Sequence, residues 1–262
     1  MCVKPIVIKP GNTLLGGPVP CGQCIECRLK RSREWALRCM HEASLYPAGS
    51  SFVTLTFSDE YLAPGGRLDR EDFVKFMKRV RKRFGPTRHF AAGEYGEDNG
   101  RPHYHALLFG LVFPDRVDWS SRKGIPVFRS GILEDLWPFG RSEIGSVTFE
   151  SAQYVAKYCL KDTDGSISLK SRGLGRGWLE KFRGEVYRDD GVLRDGVLIT
   201  PPRFYDKKES ELDLARLEVV KARRARKYGE RCSYKNGKEM WQQRAARELL
   251  AKANLERLEA MK

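Results

Sequence analysis

The sequence predicts an α+β chain, and three observations carry that reading. Short β-branched and aromatic stretches recur at strand length. One segment between two of them repeats its apolar residues at helical spacing. From about residue 201 the chain turns helical and charged. Taken in order, residues 1–20 are rich in Pro and Gly and predict an irregular arm. A basic helical stretch follows from about Cys27 to Leu45, before Pro47, only moderately amphipathic through Trp35, Leu37 and Met40. Ser51–Phe57 (SFVTLTF) predicts a strand with Val53, Leu55 and Phe57 on one face. Asp69 is a good N-cap for a helix that repeats Phe73, Phe76, Met77, Val80 and Phe84 on one side and ends at Gly85-Pro86.

Arg88–Glu94 and His103–Phe109 predict two further strands. The short polar turn Tyr95–Pro102 between them implies antiparallel pairing. Residues 111–150 read as irregular, Ser151–Leu160 as a short helix, and 163–205 as Gly-rich with weak periodicity. No internal repeat is visible. Four segments follow from this reading: a Cys-rich arm with its basic helix (1–47), a core (48–165), an irregular insertion or completion of that core (166–205), and a basic helical extension (206–262).

Composition narrows the partner. The 262 residues include 48 Lys and Arg against 34 Asp and Glu, a formal charge of +14. Such an excess favours a polyanion, although it does not separate DNA from RNA or an acidic membrane surface. Residues 201–262 hold 17 basic and 10 acidic residues, and Lys221–Lys227 (KARRARK) concentrates them. Hydrophobic residues at 41% are enough for a core and argue against wholesale disorder. No run of about 18 apolar residues is present, so no spanning helix is expected. The N-terminus lacks the apolar middle of a signal peptide, and an intracellular setting is expected. Seven cysteines, an odd number, then favour thiols or metal ligands over a disulfide framework.

Two constellations carry chemistry. His103 and His105 flank one residue, and alternation along a strand points both imidazoles the same way, about 7 Å apart along the chain. Antiparallel pairing could set Glu94 beside His103 as a third ligand. Mixed imidazole and carboxylate donors suit Mn²⁺ or Mg²⁺. Glu97 and Asp98 are rival carboxylates in the polar loop, and two exposed histidines on a strand need no metal at all. The second constellation is YVAKYCLK. Tyr154 and Tyr158 lie four apart on one helix face, with Lys157 and Lys161 each three residues after a tyrosine. A phenol of pKa near 10 needs its oxyanion favoured before it attacks anything, and an ammonium or metal can do that. Both tyrosines are candidate nucleophiles, Tyr158 slightly preferred for the Lys161 that follows it. Simple packing also explains such a pair.

In this order the pieces resemble the HUH endonucleases, named for two histidines around one further residue. The elements are the strand Phe52–Phe57, then His103-Tyr104-His105, then the tyrosine helix Tyr154–Lys161. Tyr104 is a mild departure, since that position is usually bulky and apolar. A closer likeness is to replication initiators of microviruses, small single-stranded DNA phages, on the gokushovirus-like branch. PCGQCIECRLKRSREWALRCMHE, FVTLTFSDEYL, GRPHYHALLFG and YVAKYCLKD carry it, over roughly residues 18–162. Initiators of circular single-stranded DNA viruses are also similar, with their acidic ligand in a Gly-Glu segment as at Glu94. Leu108 stands where the three-His relaxases have a further histidine.

The resemblance implies an antiparallel sheet of about five strands flanked by helices, with the His motif at its centre and the tyrosine on a neighbouring helix. It implies metal-assisted nicking and joining of single-stranded DNA at an origin through a 5′-phosphotyrosine link. It also implies a host helicase and polymerase as partners, no membrane, and a bacterial cytoplasm as the setting.

Cys21, Cys24 and Cys27 have C-x2-C-x2-C spacing, with Cys39 as a fourth candidate and His41 beyond. Structural zinc is the expected metal, ahead of an iron–sulfur cluster, and buried free thiols are the alternative. Arg28, Lys30, Arg31, Arg33, Lys78, Arg79, Arg81, Lys82, Arg83 and Arg101 could grip phosphates, and Trp119, Trp137 and Trp178 could stack on bases. The rival readings are a zinc-containing DNA-binding regulator without activity, a single-strand transposase of the same chemistry, and an RNA-associated protein.

Overall fold

The computed structural model describes residues 2, 4–8, 17–62, 66–96, 100–122, 124–158, 167–233, 246 and 248–256. In chain order the elements are β1 (Ile6–Ile8), β2 (Gly17–Val19), α1 (Ile25–Ala43), β3 (Ser50–Phe57), α2 (Arg70–Phe84), β4 (Arg88–Tyr95), β5 (Pro102–Phe109), β6 (Val117–Arg122) and β7 (Ile125–Arg129). They continue with α3 (Gly131–Leu136), β8 (Gly140–Ser146), α4 (Phe149–Tyr158), β9 (Ile167–Lys170), α5 (Arg176–Asp189), β10 (Val192–Arg194), β11 (Val197–Ile199), α6 (Arg203–Leu212) and α7 (Leu214–Ser233). Two compact units are distinguished. One is Trp35–Lys181; the other joins Met1–Glu34 with Phe182–Lys262.

Within Trp35–Lys181, seven strands form one sheet in the order β6-β7-β8-β3-β5-β4-β9, with every pair antiparallel. Alternation along β3, β4 and β5 sorts residues onto two covered faces. Val53, Leu55, Phe57, Ala91, Tyr104, Ala106 and Leu108 pack against Phe73, Phe76, Met77 and Val80 of α2 and against Leu133, Leu136 and Trp137. On the other face Phe90, Ala92, Leu107 and Phe109 pack against Ala36 and Cys39 of α1 and Ala152, Val155 and Ala156 of α4. Burying each large side chain of α2 contributes about 1.5–3 kcal/mol. That helix starts where the sequence places it, since the Asp69 carboxylate accepts from the Glu71 amide at 2.8 Å, and it stops at Gly85, whose φ is 83°.

The α+β class and antiparallel sheet agree with expectation, but the strand count is seven and not about five. The extra strands lie in stretches read as irregular. All six residues of β6 are exposed, so its sequence has no reason to alternate. In β8 only Ser142 and Ile144 are buried, and in β9 only Leu169. The arm at 1–20 also differs from expectation, because β1 and β2 pair antiparallel within it. The helix expected at Ser151–Leu160 begins at Phe149, and residues 159–166 lie outside the described residues.

Candidate metal and nucleophile site

The register of β4 against β5 sets Glu94 opposite His103, and that of β3 against β5 sets Thr54 opposite His105. Both imidazoles therefore share the face covered by α4, with ring centroids 4.8 Å apart. Each Nε2 lies 2.9 Å from Glu94 Oε1. Each Nδ1 is held from behind: His103 Nδ1 faces the Arg101 carbonyl at 3.0 Å, and His105 Nδ1 faces the Thr54 hydroxyl at 3.0 Å. A carbonyl only accepts, so His103 Nδ1 carries the proton there and donates it. The ring of Phe52 stacks on His105 at 5.6 Å and fixes its plane.

Glu94 is 5% exposed. Burial pushes its carboxyl pKa up, but hydrogen bonds from His103 and His105 outweigh that and hold it well below the usual range. Its Oε1 accepts from three groups, whereas Oε2 is buried without a protein partner. A bare buried carboxylate oxygen is costly unless something cationic meets it. Carboxylate oxygen and imidazole nitrogens of Glu94, His103 and His105 all lie within 4.8 Å of one another and could hold one metal ion.

The third group on Oε1 is the Tyr154 hydroxyl, which donates at 2.9 Å and lies 3.5 Å from His105 Nε2. Helix α4 delivers it: Ala152, Val155 and Ala156 dock on the sheet, and Tyr154 reaches past them to the strand ends. Its ring meets His105 edge-on at 5.0 Å. Lys157 on the same helix is buried at 6% exposure. Tyr158 is the last residue of α4. Its side chain, with Lys161, Glu97 and Asp98, lies outside the described residues.

Tyr104, between the histidines, sits on the opposite face with 0% exposure and donates to the Asp69 carbonyl. Burial, then the charges of Asp72 and Asp69, push its phenol pKa up, so it is a core residue and no nucleophile. Gly93 makes room for it, since a Cβ there would meet the Tyr104 ring at 3.0 Å. That is a physical reason for a glycine just before Glu94.

The cysteine expectation is corrected in one member. The thiols that converge are Cys2, Cys21, Cys24 and Cys27. Cys39 is instead a core residue of α1, 0% exposed among Phe90, Leu107 and Ala156. Spacing alone could not have found Cys2, which reaches the cluster through the β1–β2 hairpin. Thr54 was also missed, although the alternation that buries Val53 and Leu55 points it to the histidine face.

Among the basic candidates, Arg28, Lys30, Arg31 and Lys82 are exposed. Arg79 is partly buried and donates to the Leu136 carbonyl at 2.8 Å. Arg101 donates to the Phe57 carbonyl at 2.8 Å and pairs with Asp59, which steadies the carbonyl that orients His103. Trp119 is exposed, with Arg129 over its ring at 4.5 Å. Trp137 is fully buried in the α2 core and unavailable to bases, and Trp178 stacks on His41 at 3.6 Å. Among the described residues no helix is long and apolar enough to cross a membrane.

Fold and site together define an antiparallel-sheet protein that presents a two-histidine, one-carboxylate cluster to a tyrosine on an adjoining helix. The family described as replication-associated protein ORF2 matches residues 50–163, the stretch that contains all of these groups. The replication-associated protein VP4 of Bdellovibrio phage phiMH2K is 35% identical over 219 residues, covering 75% of this chain and 69% of that protein. ORF2 of Spiroplasma virus 4, also named a replication-associated protein, is 34% identical over 203 residues, 70% of this chain and 63% of its own length. The replication-associated protein ORF4 of Chlamydia phage 1 is 28% identical over 211 residues, and this chain spans 52% of it. The chain belongs to this family of phage replication-associated proteins, which bears out the resemblance drawn from its motifs. No solved structure matches it.

Proposed function

We propose that this protein initiates rolling-circle replication by cutting and rejoining single-stranded DNA at an origin, with Tyr154 and Tyr158 as the nucleophiles. The observation that carries the reading is the meeting of a phenol with a ready cation site: Tyr154 Oη lies 2.9 Å from Glu94 Oε1, among donors that converge from two strands. Residues 48–165 are then the nuclease core, and residues 206–262 supply basic helices for DNA or for a host helicase. The polymerase that extends the primer, like the helicase, belongs to the bacterial host, whose cytoplasm is the setting.

Glu94, His103 and His105 fit a divalent cation, since both imidazoles turn Nε2 inward and Glu94 Oε2 lacks a protein partner. A Mn²⁺ or Mg²⁺ bound there would supply Lewis-acid polarisation of the scissile phosphate. The protein's own groups do the rest. Tyr154 Oη attacks phosphorus in line, the Oη–P bond forms, and the P–O3′ bond breaks. The phenolic proton leaves along its hydrogen bond toward Glu94, and the departing 3′ oxygen takes a proton from solvent to become a 3′-OH primer. Lys157, three residues on in α4, offsets negative charge as the phenolate develops. The phosphotyrosine link conserves the phosphodiester, so a later attack by a 3′-OH closes a circle without ATP. Tyr158 cuts the regenerated origin while Tyr154 is occupied.

The test is incubation of purified protein with labelled origin single strand and Mn²⁺. A covalent adduct and a fragment ending in 3′-OH are expected. An adduct that survives in Tyr154→Phe/Tyr158→Phe refutes the assignment. Thr54 gives a subtler expectation. Thr54→Val removes the partner of His105 Nδ1, and metal affinity should fall by about 10–100-fold. Cleavage titrated against Mn²⁺ should then recover at high metal; an unchanged titration curve means the Thr54 contact does not orient the imidazole.

A further inference from the structure

We propose that Cys2, Cys21, Cys24 and Cys27 form a mononuclear tetrathiolate zinc site that ties the N-terminal hairpin to the start of α1. The argument begins with strand register. β1 and β2 pair Ile6 with Val19 and Ile8 with Gly17. Continued toward the hairpin's open end, that register sets Cys2 against Gln23, between the first two cysteines of the C-x2-C-x2-C run. The structure bears this out: Cys2 Sγ lies 3.4 Å from Cys21 Sγ and 3.7 Å from Cys24 Sγ. From there the chain turns through Gly22, whose φ of 78° suits glycine. Cys24 immediately precedes α1, and Cys27 lies in its first turn. A hairpin end and a helix start thus bring four sulfurs to one point.

The spacing identifies the kind of site. All four sulfurs lie within 4.8 Å of one another. A tetrahedron with metal–sulfur bonds of about 2.3 Å has edges of about 3.8 Å. The two shortest separations are close to that edge and far beyond a disulfide bond, about 2.05 Å. A multi-iron cluster distributes its thiolates over separate irons and needs them farther apart. Among single ions, thiolate donors and the Irving–Williams order favour Zn²⁺ over Fe²⁺.

The surroundings suit four thiolates as well. The Cys21 amide points at Cys2 Sγ and the Cys24 amide at Cys21 Sγ, both at 3.3 Å. Amides aimed at sulfur stabilise thiolate charge. The N-terminus of a 19-residue helix adds its positive end. Arg31 donates to the Gly22 carbonyl at 3.3 Å, bringing a cation to the loop that carries two of the sulfurs. The site is chemically distinct from the Glu94–His103–His105 cluster, which offers no sulfur. It stands whether or not the protein cuts DNA.

The experiment uses the full chain, purified and loaded with Co²⁺ in place of zinc. Thiolate-to-cobalt charge transfer reports sulfur ligands alone, so a cation at the histidine cluster does not contribute. Intense tetrahedral visible bands and one thiolate-bound metal per chain are expected. Cys2→Ser should weaken metal binding by at least about 100-fold, beyond the effect of losing an outer-shell partner. It should also reduce the charge-transfer intensity, while Cys39→Ala leaves both unchanged. Because Cys2→Ser could fail to fold, X-ray absorption at the zinc edge is measured on an otherwise native His103→Ala/His105→Ala chain. Four sulfurs at about 2.3 Å support the site. A shell with three sulfurs, dependence on Cys39 in place of Cys2, or iron in place of zinc overturns it.

Discussion

Glu94→Gln is expected to reduce DNA cleavage by at least about 10³-fold while the protein stays folded, because the substitution keeps the shape of the side chain and removes its charge. The carboxylate is the shared element of the site. Its Oε1 sits 2.9 Å from both Nε2 atoms and from the Tyr154 hydroxyl. An amide oxygen could still accept from the phenol, so the geometry of α4 against the sheet should persist. A neutral amide cannot offset a divalent cation, so two imidazoles alone would have to hold it. The loss should therefore appear first as metal affinity, read by calorimetry with Mn²⁺, and then as cleavage that added metal only partly restores. Removing metal from the native protein with a chelator should have the same effect and be fully reversed by Mn²⁺. Cleavage by Glu94→Gln within about tenfold of native would mean that the carboxylate neither holds metal nor directs the phenol, since charged groups at such positions carry more than that.

What made this site legible in the sequence was alternation. In HYHALLF the histidines must share a face, and a short polar turn after AAGEY leaves few registers other than one that pairs Glu94 with His103. The same logic applied to FVTLTF separates Val53 and Leu55 from Thr54, and so from the partner of His105. Helix α2 was equally legible, because one face is wholly buried and capping residues stand at both ends. The stretches that escaped lack those constraints. β6 buries neither face, and β8 and β9 each commit only one or two residues to the core, so periodicity had nothing to register. The Cys39 expectation failed for a different reason. A helix of 19 residues carries Cys27 and Cys39 about three turns apart, about 18 Å along the axis by its rise per residue, too far for one ion. Once the helix is granted, that distance excludes Cys39 without a structure; the position of Cys2 requires the hairpin.

The tyrosine assignment has the second large expected effect. Tyr154→Phe deletes one oxygen and leaves the ring that packs beside His105, so the sheet and α4 should remain assembled. Losing a hydrogen bond to a buried carboxylate costs about 1–3 kcal/mol in stability, read as a modest fall in thermal midpoint. The effect on chemistry is of another order. Deleting a nucleophile removes the covalent step itself, and the first-cut adduct should fall by at least about 10³-fold. In the native protein, protease digestion of the adduct should leave DNA on the peptide that contains Tyr154. Tyr158→Phe should still make the first cut on a single-origin strand and should lose the rejoining that releases a circle, because that step needs a second free phenol. The sequence alone slightly preferred Tyr158 for the lysine after it. The contacts of Tyr154 with Glu94 and His105 turn that preference toward Tyr154 for the first cut. A Tyr154→Phe protein that forms the first adduct at the native rate, with DNA on the Tyr158 peptide, would reverse the order. The contact between Tyr154 and Glu94 would then be a packing hydrogen bond that holds α4 to the sheet.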